Sequence, residues 1–316
     1  MSHPTVTGRG FWEASTMTAQ PGMFALGTSE HCYLELRLAP DADPARLVDA
    51  VAGHTESLST TGGVNVVVGV RPELWPGLAQ SRPDDSTGMN ADVVGPDGFR
   101  MPATQRDVWI WVSGGSRTSV FDATAALANA LAPVATVESE LDGWVYQQDR
   151  DLTGFVDGTE NPSAFDAPEV VAPGGAGSIV LVQVWQHDSA CLAAMPLEAQ
   201  EAMIGRTKAD SVELAEEVMP PSAHVARTVV TSADGEELAI FRRNTAYGTP
   251  SRHGTVFVGF STDRARLQLM LDRMAGVVGG IRDELTRVTT PRSGGYYYVP
   301  SLEELASYAP IVGPEG

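Results

Sequence analysis

Cysteine is nearly missing from this chain: its 316 residues hold two, Cys32 and Cys191, far apart and in no CxxC pair. That argues against a disulfide framework and against a thiolate zinc site. Positive charge is scarce as well, with 21 Lys and Arg against 40 Asp and Glu and a formal charge of −19. So acidic a chain is a poor match for a phosphate backbone or an anionic bilayer, and neither nucleic acid nor membrane is expected as a partner. No apolar run approaches the roughly 20 residues of a membrane helix. The longest, Val64–Val70 and Ile179–Trp185, have the length of buried strands. The start, MSHPTVTGRGFWEAST, has no apolar core behind a basic stretch and no twin arginine, which predicts a cytoplasmic chain. GxxxxGK[ST], GxSxG, HExxH and a GxGxxG between strand and helix are all absent. The histidines are His3, His31, His54, His187, His224 and His253, and no two are spaced as a helix-borne metal pair.

What is present is globular: 43% hydrophobic and 19% charged residues, in a length that suits two domains or one large one. Polar residues with Gly and Pro predict an arm over 1–23. Alternation predicts strands at Tyr33–Leu38, Val64–Val70, Val108–Val112 and Thr136–Tyr146, with helices at Pro44–His54 and Ser119–Leu131. The same grammar restarts after the turn-rich Asp157–Gly177. It gives strand Ser178–His187, helix Leu197–Arg206, strands Glu237–Asn244 and Gly254–Ser261, helix Thr262–Met274, strand Gly295–Val299 and a helical stretch Leu302–Tyr308. Two halves, 24–150 and 151–316, thus share one α+β layout of the ferredoxin-like kind with antiparallel sheets. Pro168–Gly177 reads as the loop between them.

Three clusters hold the candidate chemistry. Gly154–Pro162 (GFVDGTENP) is either a surface turn or a loop whose Phe155-Val156 pair tethers Asp157 to the core and desolvates it. In Met219–Arg227 (MPPSAHVAR) two prolines fix the chain ahead of His224, a structural imidazole or a ligand. In Phe241–Asn244 (FRRN), strand alternation sends Arg242 and Asn244 to one side and Arg243 to the other. Each cluster alone is compatible with ordinary turns, packing or ion pairs.

Together they resemble the dye-decolorising peroxidases, which are haem enzymes. GFVDGTENP, the SAHVAR histidine, RRN and the closing GGYYYVPS agree with that family in motif, order and spacing from about Tyr33 to Tyr308. The compact length is most similar to its short type B branch. The resemblance implies a duplicated, dimeric α+β barrel-like fold with one haem b per chain between the sheet and helices of the C-terminal half. It implies His224 as axial ligand of the haem iron, with Asp283 as the acid on its other nitrogen and Glu284 beside it. Asp157 and Arg242, with Asn244, would stand on the opposite face. The acid would carry the peroxide proton to the leaving oxygen, and the guanidinium would stabilise the charge developing there, giving a ferryl intermediate. A carboxylate with an ordinary pKa of about 3.9 stays basic further into acid than an imidazole, which predicts an acidic optimum.

By the same resemblance Arg206 would contact a propionate, with Thr159 and Asn161 as further donors, and Phe260 would touch the cofactor. Glu160 beside a propionate would make a spot for manganous ion. Trp185, Tyr247 and Tyr296–Tyr298 would relay electrons or simply pack their strands. The implied reactants are hydrogen peroxide and small aromatic reductants such as phenols and dyes. Two other readings are a protein that removes iron from haem or handles porphyrin, and a non-catalytic haem binder. A homo-oligomer is expected. The tail Ile311–Gly316 shows no docking peptide, which predicts no nanocompartment.

Overall fold

The computed structural model describes residues 18–308 except 41, 43, 56–62, 76 and 233. Most of the expected arm and the tail Ile311–Gly316 lie outside the described residues. Of the expected arm, residues 18–23 are described, and Gln20 and Met23 among them are buried. Gln20 is fully buried, donates Nε2 to the carbonyls of Val68 and Pro300, and accepts the Val68 N–H, while Met23 is 1% exposed.

Ten strands matter for the site: β1 Glu30–Leu38, β2 Asn65–Val70, β3 Val108–Gly114, β4 Ala135–Trp144, β5 Ser178–His187, β6 Phe241–Arg242, β7 Thr245–Thr249, β8 Arg252–Ser261, β9 Thr289–Pro291 and β10 Gly295–Val299. Eight of them close a ring of antiparallel pairs, β5-β10-β2-β3-β1-β4-β7-β8, and β8 pairs back onto β5. β6 extends the β7 side along β8, and β9 extends the β10 side along β5. Counted within each half of the chain, both quartets lie in the order fourth, first, third, second. Closure leaves this ring no free edge along its eight-strand course.

The two-residue period sorts side chains between lumen and exterior. On β3 the run VWIWVSG is buried throughout because both its faces are covered. Trp109 and Trp111 point into the lumen, where they stack on Tyr297 and Tyr33, and Val108, Ile110 and Val112 point out to the helices. Helix α1 (Pro44–Thr55) buries Leu47, Val48 and Val51 there, α2 (Arg117–Leu131) buries Val120, Leu127 and Leu131, and α3 (Arg264–Met274) buries Leu267, Met270 and Leu271.

Three expected boundaries move. The expected strand Glu237–Asn244 reduces to β6, because residues 230–232 pair back onto residues 236–238. Thr231 bridges Glu237, and Leu238 N–H donates to the Val230 carbonyl at 2.8 Å. The expected helix to Arg206 runs Leu197–Ile204 and stops at Gly205, whose φ of 94° is left-handed. The expected loop Pro168–Gly177 contains most of a short helix, Ala167–Val171, whose two end residues pack with the lumen cluster.

Candidate active site

A cavity lies outside the ring between the sheet and the helices of the second half. Gln183, Trp185 and His187 of β5 and Thr255 and Phe257 of β8 form its sheet wall. His224, Met270 and Met274 belong to the helical wall.

On the helical wall, Pro220 and Pro221 lead into a single helical turn, His224–Thr228. The Ala223 N–H closes on the Pro220 carbonyl, which sets the angle at which His224 leaves the backbone. His224 Nδ1 bonds Asp283 Oδ2 at 2.6 Å. Asp283 is wholly buried and itself fixed: its Oδ1 accepts the Leu285 N–H at 2.9 Å and its own N–H donates to the Met274 carbonyl. Burial pulls the imidazole pKa down, but the charge and hydrogen bond of Asp283 outweigh it and carry it above its ordinary value. With its proton on Nδ1, His224 has Nε2 free as a ligand atom in the cavity wall.

The same cavity is lined by the turn that begins at Gly154, with φ values of 91° at Gly154 and 72° at Gly158 that favour glycine. The Asp157 N–H donates to the Asp149 carbonyl, its Oδ1 accepts the Gly158 N–H at 2.7 Å, and its Oδ2 accepts Asn244 Nδ2 at 2.9 Å. Asn244 cannot turn away, because its Oδ1 accepts the Val258 N–H of β8 at 3.1 Å. Burial pushes the Asp157 carboxyl above its ordinary value, against the pull of Arg242. The Arg242 Nε is buried without a hydrogen-bond partner.

The other expected residues divide. Thr159, Glu160 and Arg206 line the cavity. Arg206 is already engaged, with Nη2 on Glu160 and on Glu213 Oε2 and Nη1 on the Ser211 carbonyl. Asn161 does not line it. Its side chain clamps the Arg242 backbone from both sides, Oδ1 accepting the N–H at 2.9 Å and Nδ2 donating to the carbonyl at 2.8 Å. Phe260 is a correction: it is fully buried in the lumen against Trp109 and Trp111, because its even place on β8 faces inward while Thr255 and Phe257 face the cavity. Trp185 lines the cavity, whereas Tyr247 and Tyr297 fill the lumen and Tyr296 and Tyr298 pack outside it. Glu284 turns away from His224 to pair with Arg287. Sequence reasoning missed Asp151, Gln183, His187 and Phe257. Strand parity carried the signal for the last three: residues 183, 185 and 187 share one face of β5, and 255 and 257 share one face of β8.

The profile of the Dyp-type peroxidase C-terminal family matches residues 148–304. A dye-decolorizing peroxidase of Mycobacterium tuberculosis is 32% identical over 261 residues, 79% of this chain and 77% of that one. The chain belongs to the dye-decolorising peroxidase family. The dye-decolorizing peroxidase of Mycolicibacterium paratuberculosis is 36% identical over 222 residues, 67% of this chain but 63% of that protein's length. Among solved dye-decolorising peroxidases, a haem complex of a DypB variant from Rhodococcus jostii RHA1 is 30% identical and superposes with a TM-score of 0.79 over 89% of this chain and 95% of its own. An encapsulated DyP-type peroxidase from Mycobacterium smegmatis is 26% identical with a TM-score of 0.82 over 94% of this chain and 100% of its own.

Proposed function

We propose that this chain binds one haem b in the cavity described and uses hydrogen peroxide to oxidise phenols and dye-like aromatics. The observation that carries the reading is a single cavity lined by His224, whose Nδ1 is held by Asp283, and by Asp157 and Arg242. These residues fit the cofactor: an imidazole for the iron with an acid behind it, and a second acid and a guanidinium lining the same cavity. Haem supplies an iron centre that peroxide oxidises and that aromatic donors then reduce.

The protein's own part follows from placement. Asp283 holds the Nδ1 proton of His224, so Nε2 would be the atom that holds the haem iron. Asp157 takes the proton that peroxide loses on binding and returns it to the departing oxygen. Arg242 offsets the negative charge on that oxygen without acting as a base. Asn244 keeps the carboxylate aimed, and Asn161 fixes the strand that carries Arg242. Arg206 and Thr159 stand on the cavity wall as donors for the propionates. A passive haem holder or a porphyrin-processing protein has no use for an acid and guanidinium so placed.

The repeated strand order supports two ferredoxin-like halves meeting in one ring, 24–150 and 151–316, with the haem between the sheet and helices of the second. The test is the Soret band of protein purified with haem. It should show a histidine-ligated ferric spectrum that His224→Ala loses; an unchanged band in that variant would contradict the assignment.

A further inference from the structure

Asp157 has a second carboxylate for a neighbour on its own turn. Arg150 and Val156 form an antiparallel bridge, with the Asp157 N–H on the Asp149 carbonyl at 2.8 Å and the Asp151 N–H on the Phe155 carbonyl at 2.9 Å. That register sets residue 151 one diagonal step from residue 157, a separation of about 7–8 Å. Both residues line the cavity of the site, and both line a second cavity that shares Arg242 and Asn244 with the first.

Asp151 is locked where it stands. Its Oδ1 accepts the Thr153 N–H at 2.7 Å, its Oδ2 accepts the Thr255 hydroxyl of β8, and its backbone carbonyl accepts the Gly154 N–H at 2.8 Å. Donors alone meet its side-chain oxygens, the pattern that suits a carboxylate rather than a carboxylic acid. Among the described residues no Lys or Arg lies within ion-pair distance of it. Its imidazole neighbour His187, 3.9 Å away, is held below its ordinary value by burial and so stays neutral. The Asp151 charge is therefore not cancelled where it stands.

The charged and titratable groups that act on Asp157 are Arg242 from β6, His224 from the helical wall and Asp151. Burial raises the Asp157 carboxyl most, Arg242 opposes it, and the like charge of Asp151 adds to it. Asp149, Arg150 and Arg243 line the second cavity but not the first. There Arg150 is spent on the Gly154, Lys208 and Ala209 carbonyls and Arg243 on those of Met23 and Ala25.

We propose that Asp151 is a positioning residue of the peroxide step: its fixed negative charge strengthens Asp157 as a base and sets the lower limit of its working pH. The inference rests on the peroxidase reading and adds a second acid to it. Asp157 takes one proton from peroxide and gives that proton to the departing oxygen. Asp151 exchanges none and stays a carboxylate throughout. A stronger base takes the peroxide proton more readily, but its charged form is populated only at higher pH.

The test reads the acid limb of the peroxide step by stopped flow in haem-loaded wild type, Asp151→Asn and Asp151→Glu. Asp151→Asn keeps the shape and removes the charge. Its limb should move down by about one pH unit, and its plateau rate should fall about threefold as the base weakens. The direction is decisive, because a damaged turn slows the reaction at every pH without drawing the limb into acid. Asp151→Glu restores the charge and should bring the limb back up. Independently of peroxide, carboxyl ¹³C NMR of the diamagnetic ferrous carbonyl form should show Asp157 taking its proton about one pH unit lower in Asp151→Asn than in wild type. In wild type Asp151 should still be charged while Asp157 titrates. A limb that Asp151→Asn leaves in place or raises, or that Asp151→Glu leaves as low as Asp151→Asn does, would overturn the proposal. So would a wild-type spectrum in which Asp151 takes its proton before Asp157, a result that needs no variant to fold. A wild type that holds haem but does not react with peroxide would strike the peroxidase reading instead and leave the NMR titration to decide this one.

Discussion

Asn244 holds Asp157 by one hand and the sheet by the other: Nδ2 donates to the carboxylate at 2.9 Å while Oδ1 accepts the Val258 N–H at 3.1 Å. That bond favours the charged carboxylate, so removing it makes the acid harder to ionise. In Asn244→Ala the acid limb of the peroxide-cleavage rate should move up by about one pH unit, since a hydrogen bond to a charged group is worth about 1.5–3 kcal/mol. Stopped-flow rates against pH check it. Burial already places that limb above the value of about 3.9 of an ordinary aspartate, which narrows the acidic optimum expected from the residue type alone.

The same buried acid should cost stability. A carboxyl raised above its unfolded value contributes stability at low pH and loses it as pH rises through the folded value. The melting temperature of wild type should therefore fall relative to that of Asp157→Asn as the pH rises toward 7. Thermal melts of the haem-loaded protein at two pH values decide it.

The strand alternation of β8 gives a paired test. Phe260→Ala should cost about 3–5 kcal/mol of stability, because it empties a site in the lumen, and should leave the Soret band unchanged. Phe257→Ala, on the cavity face, should speed haem loss to an acceptor protein with a smaller fall in stability.

At another point in the lumen, Tyr297 donates to Glu35 Oε1 at 2.6 Å, and burial raises the Glu35 carboxyl. Tyr297→Phe should lose about 1–3 kcal/mol at neutral pH, where the carboxylate is left without its donor. The loss should shrink in acid, once Glu35 is protonated. Denaturant melts at both pH values measure the difference.

Much of this was legible in the residues. The turn glycines around Asp157, the prolines ahead of His224 and the alternation of Arg242 with Arg243 all act locally, and the structure keeps them. Arg242 lines the cavity, whereas Arg243 sits 5.4 Å over the Trp111 ring and donates to the Ala25 carbonyl. Ring closure was not legible, because the pairing of β4 with β7 and of β2 with β10 joins residues far apart in the chain. Without closure, inside and outside could not be told apart on β8. Alternation alone therefore does not show that Phe257, and not Phe260, lines the cavity. The engagement of Arg206 by Glu160 and Glu213, and the chain from Asp151 to His187, are also contacts across sequence distance or between loops that no periodicity reports.

The account stands most directly on mixing haem-loaded protein with stoichiometric peroxide in a stopped-flow spectrometer, for wild type and Arg242→Leu. Wild type should convert rapidly to an oxidised spectrum, and Arg242→Leu should keep its haem but convert about 100- to 1,000-fold more slowly, the usual loss on removing a charge-stabilising donor. Equal rates in the two proteins would contradict it.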